Sequence, residues 1–249
     1  YGQMSLNFGQ NPTFSGNTTA GTYTDSNGKG LFKYQPPSGF LALCEDNLPT
    51  PAIPDPGKHF KTVLWTGDGN SGRSITGVGF TPDLVWIKSR TSTNWHILSN
   101  SVTGPTNSLF SNSTNAESPT TGDGYTNSFS SDGFSLQSGS NSINNVNGSG
   151  NTYVAWCWRA GAGTTSTNTN GSITSVVSVN QTAGFSIVSY TGNATNSTVG
   201  HGLGKVPAFI IVKGRTNAVD WQTYHTSLGI NYTTYLNSFS APNNIANYW

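Results

Sequence analysis

Residues 77–90, GVGFTPDLVWIKSR, decide the fold of this chain, because they recur as GLGKVPAFIIVKGR at residues 202–215. In each copy a proline precedes, by two positions, a run of four apolar residues that begins at Leu84 or at Phe209. Such short apolar runs are typical of buried β-strands, and a proline is tolerated at a strand entrance. The stretch therefore predicts one buried strand in each of the two copies.

The repeat extends on both sides of this strand. Residues 60–67 (FKTVLWTG) match 185–192 (FSIVSYTG) at the same shift of 125 positions, and with one extra residue Trp95 falls on Trp221. Residues 60–67 alternate in the manner of a half-buried strand. Similarity over about 50 residues per copy indicates two copies of one supersecondary unit.

The first copy continues into a hairpin and a closing strand. Residues 128–136 contain the turn Ser131-Asp132-Gly133 between apolar residues, which predicts a hairpin. Residues 152–159 (TYVAWCWR) carry the strongest strand pattern of the chain. The counterpart of that strand in the second copy would fall beyond Trp249. We therefore expect an incomplete second unit, and a chain that is a fragment of a longer polypeptide.

The composition excludes several classes of function. Asn, Ser, Thr and Gly number 28, 32, 33 and 30, which makes 123 of 249 residues, while charged residues make up only 8%. A net charge of +1 without a basic block predicts no nucleic-acid binding and no attraction to an anionic membrane. The longest apolar runs hold only a handful of residues, so no membrane insertion is expected. The 12 Phe, 10 Tyr and 7 Trp favour a folded chain over a disordered one.

Four of the eleven basic residues lie at two equivalent positions in the two copies of the repeat. Lys88 and Arg90 follow the first buried strand, and Lys213 and Arg215 follow the second. Because their spacing is two, each pair points to one side of its strand. Two interpretations stay open. The pairs either cap or pair at the edge of the sandwich, or they contact a neighbouring subunit or an anionic glycan.

Trp95 and Trp221 follow these basic residues in predicted loops. Aromatic faces stack on sugar rings, and the surrounding amides and hydroxyls suit sugar hydroxyls. The alternative is that each indole anchors the core and recurs because the fold recurs. The candidate ligand-binding residues are therefore Trp95, Trp221, Lys88, Arg90, Lys213 and Arg215.

No catalytic constellation stands out in the sequence. Most of the ten acidic residues flank Gly or Pro and fit turns. Asp68 and Asp83 could meet, since they flank a loop that joins two strands, but the second copy has Asn193 and Ala208 there. The four histidines do not pair at metal-ligand spacing, and no phosphate-binding glycine loop opens a helix. We therefore expect no enzyme, no bound metal and no cofactor.

The two cysteines, Cys44 and Cys157, are far apart and match no metal or redox spacing. One long-range disulfide is an alternative. Two isolated buried thiols are favoured, because a free cysteine behaves as a small hydrophobe.

Two resemblances accompany these patterns. Residues 6–9 (LNFG), 32–34 (FKY) and 36–43 (PPSGFLAL) resemble the C-terminal end of a SPRY domain as it occurs in bacteriophage tail fibres and virion-surface proteins. The repeated segments, with TYVAWCWRAG at 152–161, resemble the β repeat that follows the SPRY domain in those proteins. The resemblance implies a homotrimeric, fibre-like assembly with other virion proteins on the particle surface. It assigns no chemistry to any residue.

Together these observations predict an all-β chain of tandem antiparallel β-sandwich units, jelly-roll or concanavalin-like. We expect the end of a SPRY-like domain with a Pro-rich linker at 1–57, a first β repeat at 58–163, and a second, incomplete repeat at 164–249. Residues 161–171 (GAGTTSTNTNG) have the composition of a flexible linker.

The leading hypothesis is a structural and adhesive component of a phage virion, a tail fibre or capsid-surface fibre that recognises host-surface glycans. One alternative is a subunit of an extracellular filament or cell-surface adhesin, in which a strand from the next subunit completes the truncated unit. A glycan-degrading enzyme is the weaker alternative, because it would need two carboxylates about 5–9.5 Å apart.

Overall fold

The computed structural model describes residues 6–119, 122, 124–140, 144–245 and 249. The all-β prediction is confirmed, since these residues form four antiparallel sheets and two single-turn 3-10 helices, Glu45–Asn47 and Pro56–Lys58, but no α-helix. The chain divides into two compact units, Tyr1–Pro54 and Asp55–Trp249. Both predicted repeats, 58–163 and 164–249, lie within the second unit.

All the named strands belong to the second unit. In chain order they are β1 Phe60–Thr66, β2 Arg73–Ile75, β3 Leu84–Ser89, β4 Ile97–Asn100, β5 Gly104–Phe110, β6 Ser118–Pro119, β7 Tyr125–Ser130, β8 Gly133–Gln137, β9 Thr152–Trp158, β10 Ser166–Asn168, β11 Ser175–Asn180, β12 Phe185–Tyr190, β13 Phe209–Val212, β14 Gln222–His225, β15 Tyr232–Tyr235 and β16 Asn243–Asn244.

The first unit is organised by a buried carboxylate, Asp25. Its oxygens accept hydrogen bonds from the backbone N–H of Ala42 at 2.8 Å, the backbone N–H of Lys29 at 2.8 Å and the side chain of Asn47 at 2.6 Å. Burial alone would raise the pKa of Asp25, but these hydrogen bonds outweigh it and lower the pKa to about 2. The Asp25 carboxylate therefore joins segments that are more than fifteen residues apart in sequence.

The first repeat forms a six-stranded sheet in the order β1-β9-β3-β4-β5-β6. The predicted closing strand at 152–159 is confirmed as β9, which pairs antiparallel along its whole length with β1. On its other edge β9 pairs with β3, so that Trp158 lies between Phe60 and Leu84. Alternate residues of β9 point inward, and Tyr153, Ala155 and Cys157 are fully buried. The strand that closes the repeat in sequence is thus an inner strand of its sheet, next to the edge strand β1.

A second, three-stranded sheet in the order β2-β8-β7 contributes to the same core. The predicted hairpin is confirmed, since β7 and β8 pair across Ser131 and Asp132. Side chains from both sheets form one cluster of fifteen buried residues: Val63, Trp65, Ile75, Val78, Phe80, Val85, Ile87, Ile97, Phe110, Phe134, Leu136, Val146, Tyr153, Ala155 and Cys157. Burying each large side chain contributes about 1.5–3 kcal/mol.

The second repeat reproduces this sheet with one strand left out. By the shift of 125 or 126 positions, β12 corresponds to β1, and β13, β14, β15 and β16 correspond to β3, β4, β5 and β6. The latter four pair in the same order as their counterparts. Strand β12 pairs instead with β11, in a sheet ordered β10-β11-β12. Among the described residues nothing takes the place that β9 fills between β1 and β3.

The segment at 161–171 is not the flexible linker that its composition predicts. The fully buried Asp83 accepts backbone hydrogen bonds from Ala160 at 2.7 Å, Ala162 at 2.8 Å and Gly163 at 2.8 Å. It also accepts from the hydroxyls of Ser101 at 2.7 Å and Ser178 at 3.1 Å. Downstream of this contact β10 joins a sheet, so the segment is held at both ends.

We predict that Asp83→Asn lowers the free energy of unfolding of the second unit by about 3 kcal/mol, because buried donors lose a charged acceptor. Urea denaturation followed by tryptophan fluorescence measures this. The matched control is Asp55→Asn, which removes an exposed carboxylate paired with Lys58. Equal unfolding free energies for the two variants would contradict the role assigned to Asp83.

Both cysteines are free thiols, and they differ in accessibility. Cys157 is fully buried in β9, and burial raises the pKa of its thiol to about 12, whereas Cys44 is partly exposed. Because the thiolate is the reactive form, we predict that a thiol-specific reagent at neutral pH titrates one cysteine in the native chain and two in denaturant. Rapid labelling of Cys157 in the native chain, mapped by mass spectrometry, would be the contrary result.

Candidate functional site

The two lysines predicted as ligand contacts close loops of their own chain. The Lys88 ammonium donates to the carbonyl oxygens of Ser89 at 2.6 Å and Ser92 at 2.9 Å. Lys213 repeats this arrangement with Gly214 and Asn217, at 2.9 and 3.3 Å. Burial lowers the pKa of both lysines. These contacts favour the structural interpretation that the sequence left open.

The two arginines at the matched positions differ. Arg90 is exposed, and it forms no ion pair with any described residue. Arg215 forms a salt bridge with Glu117, with 2.9 Å between its Nε and Oε2, and its Nη1 also donates to the Ser189 hydroxyl at 3.1 Å. Arg90 is therefore available to a ligand, whereas Arg215 joins segments of its own chain.

The two tryptophans pack inside the unit. Trp221 is 4% exposed, and its Nε1 donates to the carbonyl oxygens of Phe110 at 2.9 Å and Ser113 at 3.1 Å. Trp95 packs against the core and makes an edge contact with the Phe110 ring, with 5.0 Å between the ring centroids. Both indoles thus contact the end of β5, and these contacts favour the core-anchor interpretation.

An open cleft of about 720 Å³, which we call the junction cleft, lies where the first repeat runs into the second. None of the six candidate residues lines it. Its polar lining comes from the segment before β1, the exit of β9, and the segments around β10 and β11. The lining side chains with imidazole, guanidinium or amide groups are His59, Arg159, Asn168, Asn170, Asn180 and Gln181, and Ser166, Thr167 and Thr169 add hydroxyls.

The junction cleft carries basic and neutral polar groups and no carboxylate among its described lining residues. Arg159 forms no ion pair with a described residue. The His59 ring is oriented by Asn180, with 2.9 Å between Nδ1 and Nδ2, and Asn180 also donates to the Arg159 carbonyl at 3.3 Å. The arrangement presents hydrogen-bond donors and one permanent positive charge to a ligand.

The walls of the cleft are fixed by the same contacts that hold the chain between the repeats. Ala160 and Ala162, which line the cleft, donate their N–H groups to Asp83. Another lining residue, the buried Asn168, is the last residue of β10 and accepts a hydrogen bond from the N–H of Asn170 at 2.8 Å. The cleft is therefore preformed in the chain without a ligand.

Sequence reasoning missed the junction cleft, because most of its lining lies within residues 159–181, and the composition of 161–171 predicted a linker there. One signal was present in the sequence. Arg159 is the only charged residue within 159–181, a stretch that is otherwise rich in Thr, Ser and Asn.

Asp68 and Asp83, the carboxylates considered for catalysis, are engaged elsewhere. Asp68 accepts from the Asn147 side chain at 2.7 Å and lies 3.6 Å from Arg73, while Asp83 is buried in its own network. Within the described ranges no three His, Cys, Asp or Glu side chains are placed to hold a metal ion. No described helix is long and apolar enough to cross a membrane.

We predict that Trp221→Phe costs about 2 kcal/mol of unfolding free energy, since two carbonyl oxygens lose their buried donor. Trp86→Phe is the matched control, because the buried Trp86 Nε1 has no hydrogen-bond partner among the described residues. Thermal unfolding of the two variants provides the comparison. A Trp221 variant as stable as the Trp86 variant would remove the anchor assignment and restore Trp221 as a ligand candidate.

Comparisons with known proteins bear on the second unit. No curated protein and no solved structure matches the chain. The DUF7483 family, described as a domain of unknown function, matches residues 55–249. This match coincides with the compact unit Asp55–Trp249 and includes both repeats and the junction cleft. The chain therefore belongs to the DUF7483 family.

Proposed function

We propose that this chain is a structural and adhesive component of a virion surface, a tail fibre or capsid-surface fibre that binds host glycans in the junction cleft. The observation that carries the proposal is the lining of that cleft, where amides and a guanidinium surround an open space and no described lining residue is a carboxylate. Amide side chains both donate to and accept from sugar hydroxyls, so they suit an uncharged or acidic glycan.

The charge of the cleft favours an acidic sugar. The Arg159 guanidinium forms no ion pair with a described residue, and its planar fork matches a carboxylate or sulfate in a bidentate contact. His59 and Asn180, which are hydrogen-bonded to each other, line the same cleft. We propose binding without turnover, since glycosidic hydrolysis requires a pair of carboxylates at the bond that is cleaved.

The fibre role is supported by the architecture and by the resemblance in sequence. Two copies of one β unit within a single compact unit suit a rigid module. The segments at 6–9 and 36–43 resemble the end of a SPRY domain in bacteriophage fibres. A homotrimer is the assembly that this resemblance implies. Light scattering during size-exclusion chromatography would then give three times the mass of one chain.

We predict that the chain binds uronic-acid-containing or sulfated glycans on a glycan array, and that Arg159→Gln weakens this binding by about tenfold or more, the loss expected for a charge-assisted hydrogen bond. Incubation with the bound glycan should release no smaller saccharide.

Arg90→Gln is the matched comparison, because it removes the same charge from an exposed site outside the cleft. Loss of binding in Arg90→Gln with full binding in Arg159→Gln would move the site to the residues predicted from sequence. Binding to no glycan, or release of product from a bound one, would contradict the proposed function.

A further inference from the structure

The contacts around His59 determine how many charges the junction cleft presents. His59 directly precedes β1, and Arg159, whose N–H donates to the His59 carbonyl at 2.8 Å, directly follows β9. Asn180, the last residue of β11, is hydrogen-bonded to both. We propose that Asn180 holds His59 as a neutral ring, so that the cleft presents one positive charge and selects a glycan in which an acidic sugar has neutral neighbours. This inference rests on the proposed function, because it names the ligand class of the same cleft.

The orientation of the Asn180 amide is fixed by two contacts that do not involve the histidine. Its Oδ1 accepts from the N–H of Ala183 at 3.0 Å, and its Nδ2 donates to the Arg159 carbonyl oxygen at 3.3 Å. A reversed amide would place the NH₂ group against the Ala183 N–H and the oxygen against the Arg159 carbonyl. Both contacts would then be repulsive. Because the hydrogen-bond network determines how an amide is oriented, the NH₂ group faces His59.

This orientation in turn determines the protonation of the His59 ring. Nδ2 of Asn180 lies 2.9 Å from Nδ1 of His59, and an amide NH₂ group can only donate. Nδ1 of the ring must therefore accept, so it carries no proton, and the proton of the neutral ring is on Nε2. An imidazolium would set one N–H group against another at this distance. The ring thus offers a ligand one N–H donor and no charge.

The rest of the lining adds no second charge. Among the described lining residues Arg159 is the only one with a permanent charge, and the others contribute amides, hydroxyls, aliphatic groups and backbone. Lys58 and Lys61 are close to His59 in sequence, but neither lines the cleft, and Lys58 pairs with Asp55 at 3.4 Å. A ligand therefore meets one guanidinium surrounded by neutral polar groups.

The size and polarity of the cleft specify the ligand. Its volume of about 720 Å³ lies in the range of sites for drug-sized ligands, which leaves room for more than one sugar ring. One acidic group can pair with Arg159, whereas a second one would face amides and hydroxyls that offer no opposite charge. Removing an unpaired carboxylate from water is costly, while the hydroxyls of a neutral sugar find both donors and acceptors. The cleft therefore favours an acidic sugar between neutral ones over a run of acidic sugars.

Two hexasaccharides test this selection. In a hyaluronan fragment glucuronate alternates with neutral N-acetylglucosamine, whereas in an oligogalacturonate every sugar is acidic. We expect the unsubstituted chain to bind the hyaluronan fragment about tenfold more tightly, measured by isothermal titration calorimetry. Equal or tighter binding of the oligogalacturonate, or binding of neither, would overturn the selection. Failure of every glycan on the array would contradict the proposed function as a whole.

The state of the His59 ring is measured without any ligand. Heteronuclear NMR of the nitrogen-labelled chain distinguishes protonated from unprotonated imidazole nitrogens, and the signals that vanish in His59→Gln are those of His59. At neutral pH we expect a proton on Nε2 and none on Nδ1. A proton on Nδ1 would overturn the proposal, whichever glycan the chain binds.

Asn180→Asp separates a positioning role from a structural one. The aspartate keeps an oxygen for the Ala183 N–H and places its second oxygen where the NH₂ group was. We expect His59 in this variant to carry a proton on Nδ1, since its neighbour now accepts. Affinity for the hyaluronan fragment should fall about tenfold or more, because a carboxylate has entered the cleft.

Asn193→Asp is the matched control. Asn193 also accepts a backbone N–H, that of Thr195 at 3.1 Å, in an exposed segment outside the cleft. An unchanged His59 ring in Asn180→Asp, or an equal loss of affinity in the two variants, would overturn the role assigned to Asn180. The ring measurement on the unsubstituted chain decides the matter even if Asn180→Asp does not fold.

Discussion

One buried carboxylate organises the second unit. Asp83 stands at the entrance of β3, and its oxygens accept hydrogen bonds from the exit of β9, the residue after β4 and the middle of β11. A buried charge without donors is costly, so the backbone must bring these distant segments together. The start of the second repeat is therefore fixed against the first, and the junction cleft forms between them.

The strands of the repeat could be predicted from the sequence because their signals are local. The apolar runs of β3 and β13, the alternation in β9 and the turn at Ser131–Gly133 each occupy fewer than ten adjacent residues. Side-chain periodicity and turn chemistry determine such elements before any tertiary contact forms. The internal repeat then predicted that β13 would resemble β3, which the matching strand orders confirm.

The site could not be predicted in the same way, because its determinants are tertiary. Asp83 follows a proline like many turn-forming acids, and only its replacement by Ala208 in the second copy set it apart. Burial of Trp221 depends on the carbonyl oxygens of Phe110 and Ser113, more than a hundred residues earlier. His59 and Arg159 meet at the cleft because β1 and β9 pair from Phe60 to Trp158. No pattern along the chain records these encounters.

The two loop-closing lysines have a consequence for the whole surface. Lys88 and Lys213 direct their ammonium groups to carbonyl oxygens of their own loops, so two of the eleven basic residues act as internal cross-links. With 8% charged residues, the outer face is hydrated almost entirely by hydroxyls and amides. Salt weakens attractions between charges and leaves the hydration of neutral groups nearly untouched. The chain can therefore keep the same surface in fresh water and in brine.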